Sequence, residues 1–272
     1  MAPISPTKLM ACRLDPVLAE TDPDYVPDKW QKALLRSQDK NILILCSRQA
    51  GKSTTAGRVA RSRAVFHEKS LVLLLSPSLR QSSELFRKFL TAYLPFRDAV
   101  PPIRESALQI ELTNGSRVIA LPGAEDTVRG YSAVDVLIID EASKVDDYLY
   151  KAVRPMLAVS GGQMIALTTP FGKRGWFFDA WQDSVDGKNS FKRTMVTADD
   201  ISRIPAAFLE EEKRALGDWW FRQEYYCEFQ DTIGSVFKHS DIMAAMSSEV
   251  TALADAEKNL ITDSSAALTG EW

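Results

Sequence analysis

The chain has 272 residues, suiting one large domain or one domain with appendages; its 45% hydrophobic content supports a sizeable core, and 25% charged residues is ordinary for a soluble protein. The formal net charge of −3 argues against a protein permanently coated with nucleic acid, although a local basic patch that grips DNA weakly remains compatible with it. No apolar run reaches 18 residues, which excludes a membrane-spanning helix; the prolines and charges at the start give no secretory signal.

Residues 1–27 hold five of the 13 prolines and little periodicity, and read as an extended arm. A short helix is expected over 28–37, opening after Pro27. Ile42-Leu43-Ile44-Leu45 is a buried strand running to Cys46, and the chain then reads Ser47-Arg48-Gln49-Ala50-Gly51-Lys52-Ser53-Thr54. A strand that turns through small residues into Gly-Lys-Ser at a helix start presents inward-pointing N–H groups and a positive helix end, which suits the phosphates of ATP or GTP. In such a loop Lys52 reaches the β- and γ-phosphates and the Ser53 hydroxyl ligates Mg²⁺. The spacing departs from the usual one, because Cys46 stands where a glycine is expected. Taken alone, Ala50-Gly51-Lys52-Ser53 also fits an ordinary helix start in any α/β protein. The helix is expected from Lys52 to Phe66.

Leu71–Leu75 is a second buried strand, closed by Ser76-Pro77-Ser78 and followed by a helix from Leu79 to Tyr93. Strands at 107–112 and 117–121 flank Thr113-Asn114-Gly115-Ser116, a strong hairpin signal. The strand at 135–139 ends in Asp140-Glu141. Two carboxylates at the end of a continuous aliphatic run are costly unless they serve a site there: the first to hold the metal shell, the second to polarise an attacking water. An acidic helix N-cap fits Asp140-Glu141-Ala142-Ser143 equally, and both readings can hold together. A helix is expected over 146–157, a strand over Met164–Thr168 ending at Thr169-Pro170, a helix over 175–183 and a strand over 191–196. This alternation implies a mostly parallel sheet covered on both faces, with Lys52, Asp140 and Thr169 converging at its carboxyl edge.

Beyond Pro205 the pattern turns helical, 206–216 and 218–225 with a break at Gly217. Its aromatic run from Trp219 to Phe229 suits core packing better than base stacking, given Glu210-Glu211-Glu212 beside it. The expected division is an arm at 1–27, a P-loop core at 28–200, a helical lid at 201–240 and a linker or tail at 241–272. Cys12, Cys46 and Cys227 are odd in number and far apart, a pattern for free thiols in a reducing setting.

Together the motifs resemble the ATPase domain of viral terminase large subunits, the DNA-packaging motors of tailed phages and herpesviruses. The resemblance is carried by the loop 47–54, the acidic strand 136–142, Leu167-Thr168-Thr169-Pro170, the Arg-Gly turn in 123–130 and Pro27-Asp28-Lys29-Trp30-Gln31, and spans roughly residues 25–240. It implies an α/β P-loop NTPase fold of the RecA/ASCE type with a small C-terminal helical lid. It further implies ATP and Mg²⁺ as cofactors. Gln31 is then the adenine contact, residues 47–54 the phosphate loop, and Arg48 a γ-phosphate sensor within it. Ser53 and Asp140 hold the metal, Glu141 activates water, and Thr169 couples phosphate loss to lid movement. Arg129 becomes an arginine finger acting in trans, its alternative being an ion pair with Glu125 or Asp126. The implied partners are double-stranded DNA, a homo-oligomeric ring, a procapsid portal and a terminase small subunit, in the cytoplasm of an infected host, with no membrane. Arg80, Arg87, Lys88, Lys173 and Arg174 are candidate DNA contacts. Family members usually continue into a nuclease domain; Asp263 alone cannot hold two metals, so no nuclease activity is expected here. A helicase-like ATPase and a nucleotide-binding switch without turnover are the competing expectations.

Overall fold

The computed structural model describes residues 4–20, 25–123 and 130–231. The chain divides into two units, 1–230 and 231–272, and the described residues other than Asp231 belong to the first.

The centre is an eight-stranded sheet in the order β3-β4-β5-β2-β6-β7-β1-β8. Its strands are β1 (Asn41–Cys46), β2 (Leu71–Ser76), β3 (Pro102–Glu105), β4 (Gln109–Leu112), β5 (Arg117–Pro122), β6 (Val136–Asp140), β7 (Gln163–Thr168) and β8 (Lys192–Val196). Every pairing from β5 across to β8 is parallel. The antiparallel β3 and β4 finish one edge. The expected hairpin closes at Asn114-Gly115, where Gly115 takes φ 80° and the Asn114 amide donates to the Ala64 carbonyl. β3 had no clear sequence signal: its four residues include exposed positions and Pro102, as befits an edge strand.

Parallel strands buried on both faces carry apolar side chains at every position, and successive residues point to opposite layers. Ile42, Ile44, Val72, Leu74, Ile138, Ile165 and Leu167 enter one core. There they meet α3 (Lys52–Phe66) and α4 (Leu79–Tyr93), with α1 (Pro6–Leu14) and α2 (Lys29–Arg36) packed beside them. Leu43, Leu45, Leu73, Leu75, Leu137, Ile139 and Ala166 enter the other. It is covered by α5 (Asp147–Val153) and α6 (Gly175–Val185), with Tyr150 stacked on Trp176 at 4.0 Å. The α3–α4 packing is close enough that a Cβ at Gly57 would lie 2.7 Å from the backbone of Lys88 and Phe89.

Over the described residues 4–20 the structure differs from the extended arm expected over 1–27. Ser5 caps α1, accepting from the Lys8 N–H, and a 3₁₀ turn follows at Pro16–Ala19. Pro6 and Pro16, among the prolines that suggested irregularity, sit at helix starts, where a missing N–H costs nothing. Glu20 then pairs with Arg58 and Arg61 of α3, each at 2.6 Å and with all three side chains buried. The helix expected over 146–157 is α5 followed by a 3₁₀ turn at Arg154–Leu157, because Pro155 interrupts it. α7 (Ala206–Tyr226) bends at Gly217, whose φ of 76° and ψ of 161° are non-helical, where the break was expected. Its Phe221 and Tyr225 are buried with Ala198, which is the packing role read for these aromatics, while Trp220 is exposed.

Candidate functional site

The loop between β1 and α3 rises from the carboxyl edge of the sheet. Cys46 is fully buried as the last residue of β1, so the strand continues through the position where a glycine was expected. The turning is done later, by Gln49 at φ 60° and Gly51 at φ 83°. Left-handed residues within a loop orient successive N–H groups towards a common point, the geometry of an anion nest. Two backbone bonds moor the loop: Ser47 N–H to the Val196 carbonyl at 2.8 Å and Arg48 N–H to the Glu224 carbonyl at 2.9 Å. Ser47 Oγ donates to the Arg48 carbonyl. Lys52 is buried and its Nζ folds back to the Ser47 carbonyl at 3.1 Å.

Two strands away, β6 delivers Asp140. Ser53 Oγ donates to Asp140 Oδ2 at 2.5 Å, joining the two motifs read separately from the sequence. Burial pushes the Asp140 carboxyl above its ordinary range and the neighbouring Glu141 charge adds to this, against the lowering effect of the Ser53 hydroxyl, of Lys52 and of the Glu141 N–H. A carboxylate pressed into a buried site beside a hydroxyl is a hard oxygen pair, and it gains from a divalent cation that neutralises it; the residues present therefore fit Mg²⁺, which retains water in its remaining positions.

Glu141 leaves the strand in the left-handed region at φ 52°, an uncommon conformation for a non-glycine residue that is met at functional turns. Its carboxylate meets Lys144 Nζ at 3.0 Å. The next residues lock this turn to β7. The Ser143 and Thr168 hydroxyls lie 2.6 Å apart, and both reach the Thr169 carbonyl, at 2.9 and 2.8 Å. Thr169 is buried, its carbonyl held by this network. Ser143 and Thr168 were part of the motifs, but their joint role depends on the β6–β7 pairing.

Gln31 is 1% exposed, which removes the exposed-helix alternative. Its Oε1 accepts from the Asp28 N–H at 2.8 Å, and its Nε2 reaches Thr55 Oγ1 at 2.9 Å and the Ala50 carbonyl at 3.4 Å. Its amide thus braces the phosphate loop from α2. Arg48 points to Glu224, Nε to Oε2 at 2.6 Å, so the loop arginine is tied to α7. Thr54 follows Ser53 on the first turn of α3, half-buried. Arg129, Glu125 and Asp126 lie outside the described residues, as does Asp263. Arg87 pairs with Glu84, and Arg174 lies over the Phe171 ring. The three cysteines are free and buried, and burial pushes the Cys227 thiol up to about 12.

Two residues beside the loop had no sequence signal. Arg203 reaches Asp28 and the Ala50 carbonyl, and Glu224 holds Arg48; their partners are more than a hundred residues away in the chain.

The sequence profile of the family described as terminase large subunit, T4likevirus-type, N-terminal, matches residues 43–244. The chain is 24% identical over 253 residues to a terminase large subunit of Thermus virus P23-45, covering 80% of this chain and 52% of that protein. It thus spans about half the length of the curated relatives it matches. Its fold is similar to the large terminase ATPase domain of Thermus phage P74-26, with a TM-score of 0.65, 21% identity, and coverage of 76% of this chain and 95% of that one. It is also similar to the large terminase of a second thermophilic bacteriophage in complex with ADP, with a TM-score of 0.62, 15% identity, and coverage of 75% and 54%.

Proposed function

The chain belongs to the family described as terminase large subunit, T4likevirus-type, N-terminal, and from that membership we propose that it hydrolyses ATP as a subunit of a DNA-packaging motor. The single observation that supports this most is the 2.5 Å bond from Ser53 Oγ to Asp140 Oδ2, which brings the phosphate loop and the acidic strand into one site. In this reading the N–H groups of residues 49–54 and Lys52 bind the phosphates, with the Ser47 and Arg48 N–H groups anchoring the loop to Val196 and Glu224, and Ser53 and Asp140 hold Mg²⁺. When bound, the ion neutralises charge developing on the transferred phosphoryl group. Glu141 accepts a proton from the attacking water. The Ser143–Thr168–Thr169 network supports its turn, so that loss of the terminal phosphate shifts Thr169 and, through Pro170, the segment leading to α6. The structural neighbour bound to ADP supports nucleotide binding in this fold.

Arg48 acts on the terminal phosphate by exchanging Glu224 for it, and Arg129 completes a neighbouring subunit's site in trans. A trans finger requires a ring, which we propose encircles double-stranded DNA and meets a portal and a small subunit in the host cytoplasm. Among the described residues no helix is long and apolar enough to cross a membrane.

The test is ATP hydrolysis across protein concentrations for wild type, Glu141→Gln and Arg129→Ala. Specific activity should rise with concentration and fall by about a hundredfold or more in both variants, as expected for loss of a water-activating group or a finger. Flat activity that survives Arg129→Ala would overturn the trans assignment. Activity retained in Glu141→Gln would overturn the catalytic one.

A further inference from the structure

The two flanks of the phosphate loop are chemically different. β1 lies between β7 and β8 in the sheet, with β6 beyond β7. The acids Asp140 and Glu141 therefore stand on the β7 side, and a triphosphate seated in the loop has its reacting end there. Its nucleoside end faces the β8 side, where the chain leaving β8 brings Arg203 against Asp28 and the Ala50 carbonyl.

Arg203 Nη1 donates to Asp28 Oδ2 at 2.7 Å and Nη2 to the Ala50 carbonyl at 3.3 Å. Gln31 Nε2 reaches the same carbonyl. A Cβ built on Gly51 would sit 3.0 Å from Gln31 Nε2 and 3.8 Å from Arg203 Nη2, so these two groups wall this side of the loop. They differ in what they leave free. The Gln31 amide is buried and engaged at both ends. The Arg203 side chain is 46% exposed, and only two of its five N–H donors are engaged by these partners. A carboxylate and a carbonyl thus hold a planar cation at the nucleoside end with part of its surface open, and guanidinium planes stack well on aromatic rings.

We propose that Arg203 is a nucleoside-binding residue of this chain, laying its guanidinium against the purine ring, with Asp28 as the positioning residue that holds it there. This rests on the reading of the loop as an ATP site. It moves the base contact from Gln31 to Arg203, and it makes the segment entering α7 sensitive to whether a whole nucleotide or only its phosphates are bound.

The experiment is a displacement titration of a fluorescent ATP analogue from the full chain, with ATP and with inorganic tripolyphosphate as competitors, for wild type, Arg203→Ala, Arg203→Lys and Asp28→Asn. Arg203→Ala should weaken ATP about tenfold, the order of one cation–π contact, and leave tripolyphosphate within about twofold of wild type. Arg203→Lys keeps the charge without the plane and should stay closer to Ala than to wild type. Asp28→Asn should weaken ATP less than Arg203→Ala does, again without affecting tripolyphosphate. In steady-state hydrolysis KM should rise with kcat little changed. Equal losses for ATP and tripolyphosphate would mean that Arg203 serves the loop or the phosphates, and unchanged ATP affinity would mean that it serves neither; either result overturns the proposal. Wild-type protein that binds neither competitor would instead overturn the ATP-site reading itself. Melting midpoints of the variants separate a binding defect from misfolding.

Discussion

Replacing Glu20 by alanine tests whether the amino-terminal helix is part of the core or an appendage. Glu20 contacts Arg58 Nε and Arg61 Nη2 at 2.6 Å each, with side-chain exposures of 7% for Glu20 and 1% for Arg61. Arg61 Nη1 is bonded to the Ala19 carbonyl, and its Nε is buried without a hydrogen-bond partner. Burial already lowers the pKa of Arg61, with the Glu20 carboxylate opposing that shift. Without the carboxylate, this guanidinium keeps the Ala19 carbonyl and the faces of Phe96 and Phe66 but no counter-charge, in a place that water does not reach. Removing one partner of a buried pair leaves an uncompensated charge, at a cost of about 3–5 kcal/mol. At about 2–4 °C per kcal/mol for a domain of this size, the melting midpoint should fall by roughly 6–20 °C. Thermal unfolding followed by circular dichroism, with Arg36→Ala as control, reads this directly. The Arg36–Asp15 pair is solvent-exposed, and its loss should leave the midpoint nearly unchanged. A Glu20→Ala midpoint within about 2 °C of wild type, below the smallest shift that this cost implies, would refute the reasoning and return residues 4–20 to the status of a loosely attached arm.

Asp140→Asn should separate stability from activity. The folded carboxyl has its pKa raised above the ordinary 3.8, so its contribution is fully present below the unfolded value and lost as pH rises through the folded one. At neutral pH the variant should therefore melt above wild type, and the gap should close as pH falls towards 4; Mg²⁺-dependent turnover should drop at least about a hundredfold, the upper end of the loss from removing an outer-shell partner alone. A variant that melts below wild type at neutral pH would refute the first part. Gly57→Ala gains about 1 kcal/mol of helix propensity but drives a methyl into the α4 backbone at 2.7 Å. The helices must part, so a net loss of about 1–2 kcal/mol is expected from overpacking; an unchanged or raised melting midpoint would show that α4 yields freely.

The phosphate site shows how a stability cost and a function coincide. Asp140 is buried against its electrostatic preference, and Glu141 adopts a left-handed backbone without being glycine. Neither feature improves the fold; the first sets a carboxylate oxygen against Ser53 at the start of α3, and the second turns the chain sharply at the end of β6. A loop arginine held by Glu224 and a buried Gln31 bracing Ala50 surround that opening with groups whose partners come from distant parts of the chain.

The parallel sheet, its buried strands and the two motifs that meet through Ser53 and Asp140 were legible in the sequence, because each depends on local chemistry: continuous aliphatic runs for doubly buried strands, small residues where a loop turns into a helix, and carboxylates that only a site would tolerate at a strand end; the edge strand β3 was not. The break at Gly217 was legible for the same reason. Prolines at helix starts and at breaks look alike in one dimension, which is why residues 6–14 read as an arm when Ser5 and Pro6 begin a helix. What only the tertiary structure decided was which distant groups meet. Glu20 finds Arg61 because the amino-terminal helix packs against α3, and Glu224 finds Arg48 and Arg203 finds Asp28 and Ala50 because the order β7-β1-β8 brings the segments after β8 beside the loop. A charge in the sequence carries no mark of its partner; the partner is set by sheet order, and sheet order is fixed by packing over the whole chain.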